Sequence, residues 1–273
     1  MSERLPVAAA DWSDLAREID LWTAAGRTPT LWWRDDDAVA ATPALADLRK
    51  VARVPLALAV IPAAPDRPLQ QSLADFLGTW PAAVVLQHGV THQSHALPGA
   101  KNSEFPASRD LAARLSGLES GMSRLQNMLG AQFIPVLTPP WNRIADDLLP
   151  HLAGLGYRGI SRFGEPPWRP GAPLAPLIEV NTEVDVIDWR GSRGFVGEGA
   201  ALGRLVGHLA ARRLKVAEPD LPTGILTHHL VHDTATWRFL ENLQDWLAKR
   251  GAAHLFVLPS LLWPEDGPSP GRG

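Results

Sequence analysis

Cysteine is absent from the 273 residues. That excludes disulfides and thiolate metal sites, so any metal must be held by His, Asp or Glu. Charge of one sign is not in excess either: 26 Lys and Arg stand against 29 Asp and Glu, a net charge of −3, with no electrostatic footprint for nucleic acid. No apolar run is long enough to span a bilayer, and no apolar h-region follows Met1. The expectation from these absences is a soluble, cytoplasmic protein with no membrane and no nucleic-acid partner. Tyrosine occurs once and methionine three times, whereas there are 11 Trp. Hydrophobic residues make up 45% and charged residues 20%, which is ordinary globular composition able to bury a large core. The length fits two small domains or one α/β barrel.

Strand and helix patterns alternate along almost the whole chain. Thr30 to Trp33, Pro55 to Ile61, Ala82 to Leu86 and Phe133 to Leu137 are apolar runs of the buried parallel-strand type. Further strand-like runs follow at Arg158 to Ser161, Ile178 to Ile187, Ile225 to Thr227 and Leu255 to Leu258. Between them lie helical stretches. Thr42-Pro43 reads as an N-cap followed by Pro at the first helical position. From Ser108 to Leu129, Leu111, Leu115, Leu118, Met122 and Leu125 recur at threes and fours as one apolar stripe. Asp233 is placed to cap the helix carrying Trp237, Leu240, Leu243 and Leu247. Such alternation predicts a parallel sheet with helices outside, in seven or eight units, hence a single imperfect (β/α)7-8 barrel over residues 1–263. Phe163 to Pro176 reads as an insertion loop, and 264–273, rich in Pro and Gly, as a disordered tail.

The polar residues fall in a pattern. Asp35-Asp36-Asp37 ends the first apolar run, and His88-Gly89-Val90-Thr91-His92 ends the third. Pro140-Trp141, Asp188-Trp189 and His228-His229 likewise follow strand ends. In a parallel barrel those ends converge on one face, where catalytic loops sit. Two imidazoles and one carboxylate suffice for Zn²⁺, leaving positions for water and substrate. A neighbouring carboxylate can then serve as general base, and a further histidine can protonate the leaving atom. His228 shares a strand face with Leu226, which favours it over His229, although both remain candidates. Trp141 and Trp189 are the candidate platforms on which a ligand ring would stack. Trp22, Trp80, Trp237 and Trp246 read as packing residues, as do Met122 and Met128. Glu104 reads equally as a substrate contact or a loop cap.

These residues, in this order, resemble the polysaccharide deacetylases of the NodB-homology type, carbohydrate esterase family 4. The family's opening Asp-Asp pair, base then metal ligand, falls on Asp36 and Asp37. Its His-(Ser/Thr)-x-x-His ligand pair falls on His88 and His92. Its third, Arg- and Pro-rich segment falls on Pro139-Pro140-Trp141. Asp-x-x-Asp-Trp is matched by Asp185, Asp188 and Trp189, and Leu-x-His by Leu226 and His228, the general acid. The resemblance implies a distorted α/β barrel and a divalent metal, zinc first with cobalt, nickel or manganese as alternatives. It implies a small-molecule or oligosaccharide substrate that loses an acetyl group by amide hydrolysis, the oxyanion being held by the Trp141 N–H. The departures are specific. Asp35 adds a carboxylate, so Asp35-Asp36 is a second register for the working pair. Gly89 replaces the usual Ser or Thr. The third-motif Arg is missing before the prolines, leaving Arg143 or Arg34 to pair with the base. Two alternatives stay open: an amide hydrolase of a small non-sugar substrate of the purine-breakdown type, and a fold that only binds carbohydrate.

Overall fold

The computed structural model describes residues 8–66, 68–165 and 177–265. Its centre is one sheet of eight parallel strands: β1 (Leu31–Ala38), β2 (Leu56–Val60), β3 (Ala83–His88), β4 (Phe133–Thr138), β5 (Gly159–Ile160), β6 (Ile178–Glu179), β7 (Val184–Asp185) and β8 (Thr223–Thr227). They are ordered β6-β5-β4-β3-β2-β1-β8-β7 and curl into an open barrel. Helices α1 (Trp12–Ala24), α2 (Pro43–Val51), α3 (Gln71–Gly78), α4 (Leu111–Leu129), α5 (Leu149–Leu152), α6 (Glu198–Arg213) and α7 (Thr234–Lys249) connect or flank the strands. Thr42 and Asp233 are the start signals read from the sequence; α4 begins at Leu111, past the expected Ser108. Asp11 caps α1 in a capping box, Thr42 caps α2 ahead of Pro43, Asp110 caps α4 and Asp233 caps α7.

Alternation along β1 sets the interior. Trp33 faces outward into the core shared with Leu45 and Leu48 of α2 and Phe239 of α7. Trp32 faces inward, packed with Ala57, Leu86, Val136 and Trp263. Its ring meets Trp263 edge-on at 5.5 Å, and its indole donates to the Asn181 carbonyl at 2.9 Å. This pair of indoles floors the barrel, and Gly159 is glycine because a Cβ there would lie 2.2 Å from Trp263. Two residues further on, about 6.6 Å up the strand, comes Arg34, and two beyond that Asp36. One strand therefore sets an aromatic floor, a guanidinium and a carboxylate along the interior.

Two expected strands differ. Ile178 to Ile187 is not continuous: β6 pairs with β5, whereas β7 pairs with β8. The residues between them carry the chain from one end of the sheet to the other, so a covalent link spans the gap where no strand pairing does. Leu255 to Leu258 is no strand. A 3-10 turn covers Ala253–Leu255, and Phe256 makes a lone bridge to Leu31. Pro259 opens another 3-10 turn and stops extension. Most of the Phe163 to Pro176 loop and most of the 264–273 tail lie outside the described residues.

Candidate metal and catalytic site

Each of the three consecutive aspartates has a different environment. Asp35 keeps the outward phase of β1. Its Oδ2 accepts from the Thr227 hydroxyl at 2.6 Å and the His229 amide at 3.0 Å, and its Oδ1 meets His229 Nδ1 at 2.5 Å. Asp36 keeps the inward phase and is buried against Arg34. Nε and Nη2 of the guanidinium reach its two oxygens at 2.9 and 3.1 Å. Simple alternation would return Asp37 to the outer side. A bulge prevents this. Asp35 pairs with Leu58 and Ala38 with Val60, so β1 has one residue more than β2 over that interval. Asp37 absorbs it with φ of 78°. Both Asp36 and Asp37 are thereby turned into the mouth.

His88 ends β3 opposite Thr138 of β4, and its Nδ1 donates to the Thr138 carbonyl at 2.9 Å. That bond takes the ring proton of the neutral imidazole and leaves Nε2 as a lone pair. Asp37 Oδ1 lies 3.2 Å from His88 Nε2 and 3.3 Å from His92 Nε2. One oxygen and two nitrogens lie within 4.8 Å of one another. Two ligands bound at 2.0–2.1 Å to a tetrahedral zinc sit about 3.3 Å apart, so the spacing fits such an ion. Asp37 Oδ1 is moreover buried without a hydrogen-bond partner among the described residues. The donor set therefore fits a divalent cation. Burial opposes ionisation of Asp37, but the His88, His228 and His92 imidazoles outweigh it and hold the carboxyl well below its usual range. Burial likewise opposes charge on His88, and Asp36 with Asp37 outweigh it, raising its pKa. His92 is pushed down by burial and by His88.

The loop after β3 is shaped by Gly89 and Glu104. Gly89 has φ of 59°, and a Cβ there would lie 2.1 Å from Glu104 Oε2 and 2.6 Å from the Pro140 ring. Gly89→Ala is expected to cost about 1–3 kcal/mol, from left-handed backbone and overpacking together. Urea unfolding measures it, and a loss below a few tenths would contradict the tight approach. Glu104 caps the loop, which settles the two readings its sequence position allowed.

The opposite wall comes from β7 and β8. His228 Nε2 lies 3.9 Å from Asp36 Oδ2, and the exposed Trp189 ring meets His228 edge-on at 4.8 Å. The Trp189 indole donates to Asp185 Oδ2 at 2.9 Å. His229, one residue on, is buried on Asp35 behind the strand. Trp141 has φ of 54° and packs on His92 at 4.6 Å between centroids. No carbonyl among the described residues accepts from its N–H. Pro140 is buried under Gly89.

Several candidates are placed differently from the sequence reading. Arg143 does not pair with Asp36; its guanidinium donates to the Asn102 carbonyl at 2.9 Å. Arg34 makes that pairing, and also donates to Ser161 Oγ at 2.7 Å, the Arg162 carbonyl at 3.3 Å and Asn142 Oδ1 at 2.9 Å. Asp188 caps its own turn, accepting from the Gly191 and Ser192 amides. In the alternative Asp35-Asp36 register neither carboxylate joins the His88 and His92 imidazoles, Asp35 being bonded to His229 and Asp36 to Arg34. Asn142 and Ser161, which orient Arg34, gave no signal in the sequence beyond following strand ends.

No family model and no curated protein matches the sequence. Solved structures do match. A polysaccharide deacetylase assignment from Mycobacterium smegmatis superposes with a TM-score of 0.54 at 17% identity, covering 94% of this chain and 91% of that one. An esterase of carbohydrate esterase family 4 from Streptococcus mutans gives 0.53 at 15%, covering 89% and 90%. A peptidoglycan N-acetylglucosamine deacetylase, solved with a hydroxamate-type compound, gives 0.51 at 14%, covering 86% and 87%. At these identities the likeness is one of fold, and the chain has the distorted barrel fold of the NodB-type polysaccharide deacetylases.

Proposed function

We propose that this chain is a divergent, metal-dependent deacetylase that hydrolyses the amide of an N-acetylated sugar. The observation that carries the reading is the convergence of Asp37, His88 and His92, with Asp36 and His228 beside them at one mouth. The fold supports it, since one matched structure of the same architecture is that of a peptidoglycan N-acetylglucosamine deacetylase.

Asp37, His88 and His92 would hold the cation. A divalent ion bound there supplies Lewis acidity, polarising the acetyl carbonyl and acidifying water. Asp36, oriented by two bonds from Arg34, takes the proton of the attacking water. His228 stands across from Asp36 and protonates the amine as the C–N bond breaks. The Trp141 N–H is free to donate to the developing oxyanion. Trp141 and Trp189 offer apolar faces on either side for a pyranose ring.

The test combines metal analysis with acetate release from a panel of N-acetylated sugars and small non-sugar amides. The expected result is stoichiometric divalent metal and acetate release from sugars that chelator abolishes and zinc restores. Turnover of non-sugar amides alone would move the assignment to the small-amide alternative. Metal-free protein inert on the whole panel would end the catalytic reading. His88→Ala should retain secondary structure by circular dichroism but lose the metal, since it removes one of three ligands and its Thr138 anchor.

A further inference from the structure

Glu104 is buried and far in sequence from any strand end, yet all its side-chain bonds run to the loop that carries His92. Oε2 accepts from the Val90 amide at 3.1 Å and the His92 amide at 3.3 Å. Oε1 accepts from the Thr91 amide at 2.7 Å and the Thr91 hydroxyl at 2.8 Å. Gly89 and His92 are both left-handed, with φ of 59° and 58°. That backbone points successive amides into one concavity, an anion nest, and the chain fills it with its own carboxylate.

The two imidazoles differ in how they are held. His88 lies on β3 and is tied to the Thr138 carbonyl. His92 lies outside the sheet, and among the described residues its ring meets Asp37, His88 and Trp141. What fixes its backbone is the Glu104 carboxylate. Glu104 is itself braced from the loop after β4. The Ser103 hydroxyl donates to the Arg143 carbonyl at 3.4 Å, the Ala145 amide donates to the Phe105 carbonyl at 3.0 Å, and Phe105 bridges Ile144. That loop also carries Trp141.

We infer that Glu104 is a positioning residue: its carboxylate, seated in the amide nest of residues 90–92, holds His92 in ligating pose and couples it to the Trp141 loop. This rests on the reading that Asp37, His88 and His92 take a divalent cation. It also explains why Gly89 stands where a hydroxyl residue is usual in the resembled family. The room above residue 89 is occupied by the carboxylate, so a side chain there has no space.

Zinc affinity is the measure, by competition against a chromophoric chelator, on wild type and Glu104→Gln. Glutamine keeps the size but turns an NH₂ toward amide donors. A loss of the order expected for an outer-shell partner, about 10–100-fold in Kd, is predicted. His92→Ala, measured the same way, sets the loss expected when that ligand is gone, and Glu104→Gln should fall between it and wild type; a purely structural role would instead lower the stability of the metal-free protein and leave Kd alone. Equal zinc affinities for wild type and E104Q overturn this inference while the metal site stands. Failure of wild type to bind zinc overturns the metal site and this inference with it. If E104Q does not fold, Glu104→Asp, which keeps the charge but withdraws it by one methylene, carries the same comparison.

Discussion

Asp36→Asn is expected to lower turnover by about 10²–10⁴-fold, the range a positioned general base contributes, without removing the metal. The separation follows from the bulge. Asp37, not Asp36, is the carboxylate between the imidazoles, with Oδ1 at 3.2 and 3.3 Å from their Nε2 atoms. Asn at position 36 has the same shape but no basic oxygen. Arg34 keeps its bonds to Ser161, the Arg162 carbonyl and Asn142. It loses its counter-charge, so stability should fall as well, and turnover is to be compared on protein shown to be folded. The measurement pairs acetate release with metal content. Loss of metal along with activity would move Asp36 among the ligands. Full activity would remove it from the reaction.

Arg34→Met is expected to be the most destabilising single change in the mouth, by about 3–5 kcal/mol. Arg34 and Asp36 have side-chain exposures of 0% and 2%, and the nearest other cationic group to Asp36 among the described residues is His228, 3.9 Å away. Methionine fills much of the volume but leaves a carboxylate buried without its charge partner, which is where the cost arises. The same change removes the tie between β1 and the residues following β4 and β5, through Asn142 and Ser161. Chemical denaturation gives the number, and the double variant Arg34→Met with Asp36→Leu should recover much of the loss, since the unpaired charge goes. A loss under about 1 kcal/mol for the single variant would mean that solvent reaches Asp36.

Much of the architecture was legible because hydrophobic periodicity reports burial directly. Leu56–Val60 is apolar at every position because both faces of β2 are covered, by the barrel interior and by helices. Thr42, Asp110 and Asp233 cap helices through local bonds that need only nearby residues. Two expected strands differ for separate reasons: Leu255 to Leu258 gives way to 3-10 turns, and Ile178 to Ile187 changes partner. Ile178 to Ile187 looks like one strand, and only the geometry of the open sheet divides it between β5 and β8.

Side-chain order along β1 by itself determined that a guanidinium and carboxylates stand at the end of a buried strand, and that imidazoles stand at the end of another. It could not determine which aspartate meets which imidazole. One inserted residue, with Asp37 at positive φ, reverses the alternation that sequence spacing assumes, because facing depends on backbone dihedrals as well as on count. Alternation past Leu226 favours His228 over His229, and in the fold Asp35 takes His229 behind the sheet while His228 stands at the mouth. Arg34 and Arg143 have equal chemistry as sequence letters. Burial beside Asp36 distinguishes them, and burial of a charge is a property of the whole tertiary structure.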